Sequence, residues 1–159
     1  MQKPALALYQ PDIPQNTGTI LRTAACLDVP VSVIGPTGFD MSDRALRRAG
    51  LDYLPHVLIT RFDDWSSFDI VRINKHQRII LASTHGGSPI HEFKFKINDI
   101  ILMGRESAGV PETVRKAANA IVSIPVRAPL RSLNVAVAAG MMLFEALRQT
   151  SGFPPSPPA

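Results

Sequence analysis

The stretch "IPVRAPLRSLNVAVAAGMMLFEALRQ", from Ile124 to Gln149, joins an extended segment to a helix. The helix, predicted over Val135–Gln149, is apolar or glycine at every position from Val135 to Phe144. Two prolines keep the preceding segment extended or turned, and it carries four hydrogen-bonding side chains: Arg127, Arg131, Ser132 and Asn134. Ser132 or Asn134 alone is enough to cap the helix, so the surplus indicates a polar site where the helix begins.

The apolar circumference of this helix predicts that it is buried on all sides. Two arrangements fit the pattern equally well: a central core helix, or a helix that packs partly on a second copy of the chain. The chain of 159 residues fits one domain with one core. A terminal helix rarely finds that much cover within a domain of this size, and both arrangements stay open at this point.

The composition is that of an ordinary soluble globular protein, with 45% hydrophobic and 19% charged residues. The apolar runs are too short to span a bilayer, and the first residues lack the pattern of a secretory signal. The single cysteine, Cys26, cannot form an internal disulfide, which favours a cytoplasmic location. The net charge of +4 and the pI of about 9.6 permit a nucleic-acid partner without requiring one.

Short apolar runs alternate with helical patterns. The predicted strands are Ala5–Tyr9, Val31–Ile34, His56–Thr60, Arg78–Ser83, Asp99–Gly104 and Ala120–Ile124. The other predicted helices are Thr17–Leu27, Asp43–Ala49, Asp64–Ile73 and Pro111–Ala118, with Asn16 and Ser42 as N-caps and Gly50 as a C-terminal stop. The alternation predicts an α/β fold with a mainly parallel sheet covered by helices, as one domain over residues 1–150. The Pro-rich tail, residues 151–159, is expected to be unpacked.

Two further stretches place polar residues after predicted strands. In "PDIPQNTGTILRTA", a helix N-terminus offers free N–H groups to an anion, and Arg22 lies one turn after Gly18 on the same face. A capped helix with a surface arginine explains this pattern as well. In "LMGRESAGVP", Gly104, Arg105 and Glu106 follow a strand, where parallel sheets bind ligands. A tight strand-to-helix turn is the simpler explanation there.

The second predicted helix carries Arg44, Arg47 and Arg48 on one face, at spacings i, i+3 and i+4. Like charges at these spacings cost a few tenths of a kcal/mol per pair, which RNA phosphates would offset. The alternative is a solvated face relieved by Asp40 and Asp43.

Several common catalytic motifs are absent from the sequence. It contains no G-x-x-x-x-G-K-[ST] loop, no G-x-G-x-x-G after the first strand and no G-x-S-x-G elbow. The four histidines lack metal-ligand spacing, and one cysteine offers no zinc site. The sequence therefore predicts no metal centre.

The order of the polar stretches is more specific than any one of them. "IPQNTGTILRTA", "MGRESAGVP" and "IPVRAPLRSLNVAVAAGMMLFEAL" resemble the three motifs of the SPOUT methyltransferases. "LRRAGLDY" and the short chain resemble the small bacterial members that methylate the ribose 2′-hydroxyl of the wobble cytidine or uridine of tRNA. Arg105 departs from the pattern, since those members often carry proline there, and the departure puts the local loop shape in question.

The resemblance implies a C-terminal trefoil knot, a homodimer, and S-adenosylmethionine bound in the knot. It assigns cofactor contacts to Ala82, Gly104, Glu106, Ile124, Ser132 and Leu133. It assigns catalysis to Arg22, Ser132 and Asn134, while RNA contacts are expected from Arg44, Arg47 and Arg48. The last helix would then be covered by the knot and by the partner subunit, and the polar cluster at its start would separate methyl donor from RNA.

The implied reaction is an in-line attack of a ribose 2′-hydroxyl on the methyl group of the cofactor. Because guanidinium stays protonated, Arg22 is expected to clamp a phosphate or stabilise an alkoxide, and the proton leaves through RNA phosphate or water. Ser132 and Asn134 would hold the ribose and the cofactor edge. A 2′-O-methyltransferase for another tRNA position or for ribosomal RNA, and a non-catalytic RNA-binding module, are the alternatives. The joint presence of four polar motif residues favours an enzyme: Arg22, Glu106, Ser132 and Asn134.

Overall fold

The computed structural model describes residues 2–48 and 52–156. Within these ranges seven strands form: β1 (Ala5–Tyr9), β2 (Val31–Ile34), β3 (Ile59–Phe62), β4 (Arg78–Ala82), β5 (Ser88–Pro89), β6 (Asp99–Met103) and β7 (Ala120–Ser123). The α-helices are α1 (Pro14–Cys26), α2 (Asp43–Arg48), α3 (Trp65–Asn74), α4 (Glu112–Ala117) and α5 (Val135–Thr150), and a 3-10 helix covers Leu54–His56.

The strands form one parallel sheet in the order β3-β2-β1-β6-β4-β7-β5. This confirms the α/β class and the parallel sheet; the trefoil knot stays a prediction. β6 lies between β1 and β4, and its first residue, Asp99, is fully buried. The Asp99 carboxylate accepts hydrogen bonds of 2.7 and 2.8 Å from Arg78 of β4, which fixes the register of the two strands.

Both faces of the sheet are covered, which explains why the strands read as continuous apolar runs. Leu6 and Leu8 of β1 belong to a core on the side of α1 and α5. Ala7 and Tyr9 belong to a core on the opposite side, together with Phe68 of α3. In the described part of the chain, no helix has the length and apolarity needed to cross a membrane.

Several predicted boundaries differ from the structure, and proline accounts for two of them. α1 begins at Pro14 rather than after Asn16, because proline suits a first helical position, and Ile13 is the N-cap. The prediction of Asn16 as N-cap was therefore wrong. His56 lies in the 3-10 helix Leu54–His56, which has Pro55 in its first turn, so the third strand begins only at Ile59.

Other caps follow the sequence more closely. Ser42 caps α2, since its hydroxyl accepts from the Ala45 N–H at 3.2 Å. Asp64 is the N-cap of α3 rather than its first residue, and Pro111 is the N-cap of α4. The remaining second-helix predictions, Ala49 and the Gly50 stop, lie outside the described residues.

α5 is buried on one side only. Leu143 and Leu147 are buried against the sheet, whereas Val137, Met141 and Phe144 are 52%, 43% and 56% exposed. Burial on all sides within a single chain was therefore a wrong expectation, while cover by a second copy stays a prediction.

The start of the tail packs on α5. Gly152 is buried against Leu147, and the ring centroid of Phe153 lies 5.1 Å from that of Phe144. The expectation of an unpacked tail does not hold for these two residues. Residues 157–159 lie outside the described ranges.

Candidate active site

A cavity of about 540 Å³ opens beyond the carboxyl ends of β4, β6 and β7. All residues predicted to contact the cofactor line it: Ala82, Gly104, Glu106, Ile124, Ser132 and Leu133. Asn134 lines the cavity as well, so two of the three predicted catalytic residues, Ser132 and Asn134, lie there. The structure thus gathers residues 52 positions apart in sequence, from Ala82 to Asn134, at one edge of the sheet. Their individual roles stay predictions.

The loop after β6 is a tight hairpin. The backbone N–H of Arg105 donates to Gly109 O at 3.0 Å, and Gly109 N–H donates back to Arg105 O at 2.8 Å. Gly109 has a φ of +63°, and a Cβ on Gly104 would lie 2.9 Å from Gly109 C, so both positions require glycine. Arg105 fits this loop and supplies a backbone donor that proline lacks, which settles the loop shape in this chain.

Glu106 meets a second carboxylate that the sequence did not indicate. The Asp12 N–H donates to Glu106 Oε2 at 3.3 Å, and Ser107 Oγ donates to Asp12 Oδ2. Arg105 lies 3.8 Å from Asp12 Oδ2. These contacts tie the loop before α1 to the loop after β6.

The pKa values of the two carboxyl groups, Asp12 and Glu106, shift in opposite directions. Hydrogen bonding to Glu106, then to Ser107, lowers the pKa of Asp12. Burial, then the hydrogen bond to Asp12, raises the pKa of Glu106. Of the two carboxyl groups, Glu106 therefore binds a proton more readily, and Asp12, beside Arg105, keeps its negative charge to lower pH.

Asn134 performs two tasks at the start of α5. Its side-chain oxygen accepts from the N–H groups of Ala136 and Val137 at 2.8 and 3.3 Å. Its amide nitrogen donates to Asn16 Oδ1 at 3.0 Å. Asn16, misassigned as a cap, instead brings α1 to the rim of the cavity.

Arg22 is not one of the described residues that line the cavity. Its guanidinium carbon lies 4.5 Å from the ring centroid of Tyr53, and its Nη2 donates to the Tyr53 hydroxyl at 3.3 Å. Tyr53 was not singled out from the sequence, because the two residues are 31 positions apart and belong to different elements.

The three-arginine face, Arg44, Arg47 and Arg48, is exposed on α2 and borders a shallow groove together with Asp43. The carboxylates that could relieve this face are engaged elsewhere. Asp43 pairs with Arg61 at 2.8 Å, and Asp40 accepts from the Ser42 N–H at 2.8 Å. In the described part of the chain, none of the three arginines forms an ion pair, and their role in RNA contact stays a prediction.

Within residues 2–48 and 52–156, no group of three or more histidine, cysteine, aspartate or glutamate side chains could hold a metal ion.

Residues 3–144 match the model of the SpoU rRNA Methylase family, which spans the sheet, the cavity and most of α5. The chain belongs to the SpoU methylase family. This membership agrees with the resemblance to SPOUT methyltransferases drawn from the three ordered motifs.

Similar proteins match more than nine-tenths of this chain. A tRNA (cytidine(34)-2′-O)-methyltransferase of Beijerinckia indica is 56% identical over 144 residues, which cover 91% of this chain and 90% of that protein. A solved structure described as "Structural insights into the 2-OH methylation of C/U34 on tRNA" is 42% identical, with a TM-score of 0.86 and coverage of 95% of this chain and 98% of that chain.

A further similar structure was solved with a cofactor. It is the SpoU methyltransferase AviRb of Streptomyces viridochromogenes in complex with AdoMet, 26% identical with a TM-score of 0.81. The match covers 93% of this chain and 60% of that chain.

Proposed function

We propose that this protein transfers a methyl group from S-adenosylmethionine to the ribose 2′-hydroxyl of the wobble nucleotide, position 34, of tRNA, where the base is cytidine or uridine. The observation that carries the proposal is the cavity at the strand ends, where the residues of the second and third motifs meet. Similarity over nine-tenths of both chains to a protein named for this reaction supports the choice of substrate.

The cavity fits the proposed cofactor by size and chemistry. Its volume of about 540 Å³ lies within the range of roughly 300–1,000 Å³ typical of small-molecule sites. Leu81, Met103 and Met142 give it an apolar wall, while Ser132 and Glu106 supply polar groups. Backbone groups at Ala82, Gly104 and Ile124 would hold the ligand. Once bound, the cofactor supplies a methyl group made electrophilic by a sulfonium.

The protein's own residues must align the ribose and accommodate the proton that its hydroxyl loses. Ser132 and Asn134 lie exposed on the rim of the cavity, where they can hydrogen-bond the ribose. The oxygen–methyl bond forms as the sulfur–methyl bond breaks, and the hydroxyl proton passes to RNA phosphate or water. Arg22 cannot accept this proton, so its part is to hold phosphate or to stabilise negative charge on the oxygen.

The three-arginine face is the proposed tRNA contact outside the site. Its three guanidinium groups are exposed and form no ion pair in the described part of the chain, so the face suits the phosphate backbone. Such contacts orient the tRNA but do not read its sequence, so recognition of position 34 must come from the rim of the cavity.

A second copy of the chain is the proposed cover for the apolar side of α5. Val137, Met141 and Phe144 share this exposed side, and Phe153 extends it. An aromatic and methionine-rich patch of this kind is typical of the core of a protein interface. We also place the protein in the cytoplasm, where its exposed thiol, Cys26, would remain reduced.

The test is methyl transfer from labelled S-adenosylmethionine to total RNA of a strain that lacks this gene, followed by mapping of the labelled nucleotide. Label at position 34 of tRNA is expected. Label at another tRNA position or in ribosomal RNA would support the alternative substrates instead. A protein that binds tRNA but neither transfers label nor binds S-adenosylmethionine in calorimetry would be a non-catalytic RNA-binding module.

A further inference from the structure

We propose that Tyr53 is a positioning residue that orients Arg22 for the reaction without neutralising its charge. The role rests on the proposed function, because it concerns the contact of Arg22 with the RNA. Tyr53 lies outside the three motifs and outside the cavity lining.

The geometry is that of a cation–π pair with an added hydrogen bond. The Arg22 guanidinium carbon is 4.5 Å from the ring centroid, inside the limit of about 6 Å for such contacts. Nη2 also reaches the Tyr53 hydroxyl at 3.3 Å. An exposed arginine otherwise samples many rotamers, so the ring restricts where the guanidinium points.

Arg22 has an aromatic partner and not a carboxylate, and this difference decides how much of its positive charge stays available to RNA. In the described part of the chain, no carboxylate forms an ion pair with Arg22, whereas Arg61 and Arg78 each pair with an aspartate. A carboxylate would compete with RNA phosphate for the same N–H donors. An aromatic ring holds the cation through its face and leaves the net charge and most of the five donors free.

The backbone around Tyr53 is held in place by the 3-10 helix and by the core, which fixes the base of the side chain. Tyr53 is the N-cap of the 3-10 helix, and its carbonyl accepts from the His56 N–H at 2.9 Å. The next residue, Leu54, is buried in the core beside α1, while Tyr53 itself stays 36% exposed. The ring is thus fixed at the surface, where an RNA-facing arginine needs its support.

The same short helix also contacts α2, which carries the three-arginine face. Tyr53 therefore connects the proposed phosphate contacts of α2 to the arginine on α1. A tRNA bound along α2 would find Arg22 already oriented.

The experiment compares Tyr53→Phe with Tyr53→Leu in single-turnover methylation of tRNA at saturating cofactor and tRNA. Phenylalanine keeps the ring face and leucine removes it, so Tyr53→Phe should stay within about twofold of the parent and Tyr53→Leu should fall about tenfold. Cofactor affinity and melting temperature should be unchanged in both. Leu58→Ala, at an exposed position of the same segment, is the control and should behave as the parent.

A double-mutant cycle with Arg22→Ala identifies the route of the effect. If Tyr53 acts through Arg22, adding Tyr53→Leu to Arg22→Ala should cause no further loss. Ring-current shifts of the Arg22 side-chain protons should also disappear in Tyr53→Leu and persist in Tyr53→Phe.

Three results would overturn the role. They are a parent rate in Tyr53→Leu, an additive loss in the double variant, and a loss explained by a lower melting temperature. If the parent protein methylates tRNA and any of these results is found, the proposed function stands and only the role of Tyr53 is rejected. A parent protein that methylates no tRNA overturns both.

Discussion

Asn134 and Asn16 join the two ends of the fold through one hydrogen bond of 3.0 Å across 118 residues of sequence. Because the same Asn134 side chain also caps α5, helix stability and the position of the rim of the cavity depend on a single amide. The two tasks use different atoms, and substitutions can separate them.

Asn134→Asp should keep the cap, since a carboxylate oxygen accepts the same N–H bonds, and its unfolding free energy should stay within about 0.5 kcal/mol of the parent. Asn134→Ala should lose about 1 kcal/mol. Both should methylate tRNA about tenfold more slowly, because neither keeps the amide donor on the rim. Urea unfolding and single-turnover assays measure the two effects. Parent activity in Asn134→Asp would reduce the residue to a helix cap.

Arg22→Ala should lower the single-turnover rate by roughly a hundredfold or more, as expected when a preorganised donor is removed. Arg22→Lys keeps the charge but loses the planar fork, so it should retain part of the activity. Calorimetry should find S-adenosylmethionine binding nearly unchanged in both, because Arg22 lies outside the cavity lining. Methylation by Arg22→Ala at the parent rate would leave Arg22 a surface residue only. If either variant fails to bind the cofactor, Arg22 lies on the cofactor side of the site and not on the RNA side.

Arg47→Ala and Arg48→Ala should each weaken tRNA binding and reduce the slope of its salt dependence by about one unit, because each removes a cation that neutralises a phosphate. Cofactor affinity should not change. Lys75→Ala removes one exposed charge next to α3 and serves as the control. Filter binding over a range of salt concentrations gives affinity and slope together. An unchanged slope in both arginine variants would return the α2 face to an ordinary solvated surface.

The parent should have twice the 17.3 kDa chain mass in dilute solution, and Phe144→Glu should have the mass of one chain. A carboxylate at the centre of the exposed side of α5 would be desolvated without a partner at the interface. Ile70→Glu, at an exposed position of α3, is the matched control. Light scattering distinguishes the species. A monomeric parent that still methylates tRNA would contradict the homodimer.

Glu145 gives the fold a measurable acid dependence. Hydrogen bonds from Arg148 and then Gln149 lower the pKa of its carboxyl to about 2. A lowered pKa means that the folded state favours the carboxylate, so this contribution is present above the usual value of 4.5 and is lost as pH falls toward about 2. Glu145→Gln should therefore show a shallower decline in unfolding free energy over that window than the parent. Glu112→Gln is the control, and equal slopes in parent and Glu145→Gln would contradict the assignment.

The sequence predicted the central strands well because parallel strands covered on both faces leave long apolar runs, as in β1 and β6. It could not predict β5, since Ser88 and Pro89 are too few to show a period. It also overestimated the burial of α5, because apolar residues mark an interface and a core alike.

The candidate site was predictable where it depends on strand ends, and Ala82, Gly104 and Ile124 indeed meet at one cavity. Asp12 and Tyr53 were missed for a common reason. Each contacts a motif residue from a distant part of the chain, Asp12 through its N–H to Glu106 and Tyr53 through its ring to Arg22, and such contacts leave no local sequence pattern.

The position of β6 in the middle of the sheet has a consequence for biosynthesis. During translation, β1 and β4 are complete before residues 99–103 exist, and each then presents an unpaired edge toward the place that β6 will fill. Open edges of this kind attract other strands, so the nascent chain is most prone to misassociation in this interval. The cavity also needs residues up to Met142, so it is complete only once most of α5 has been made.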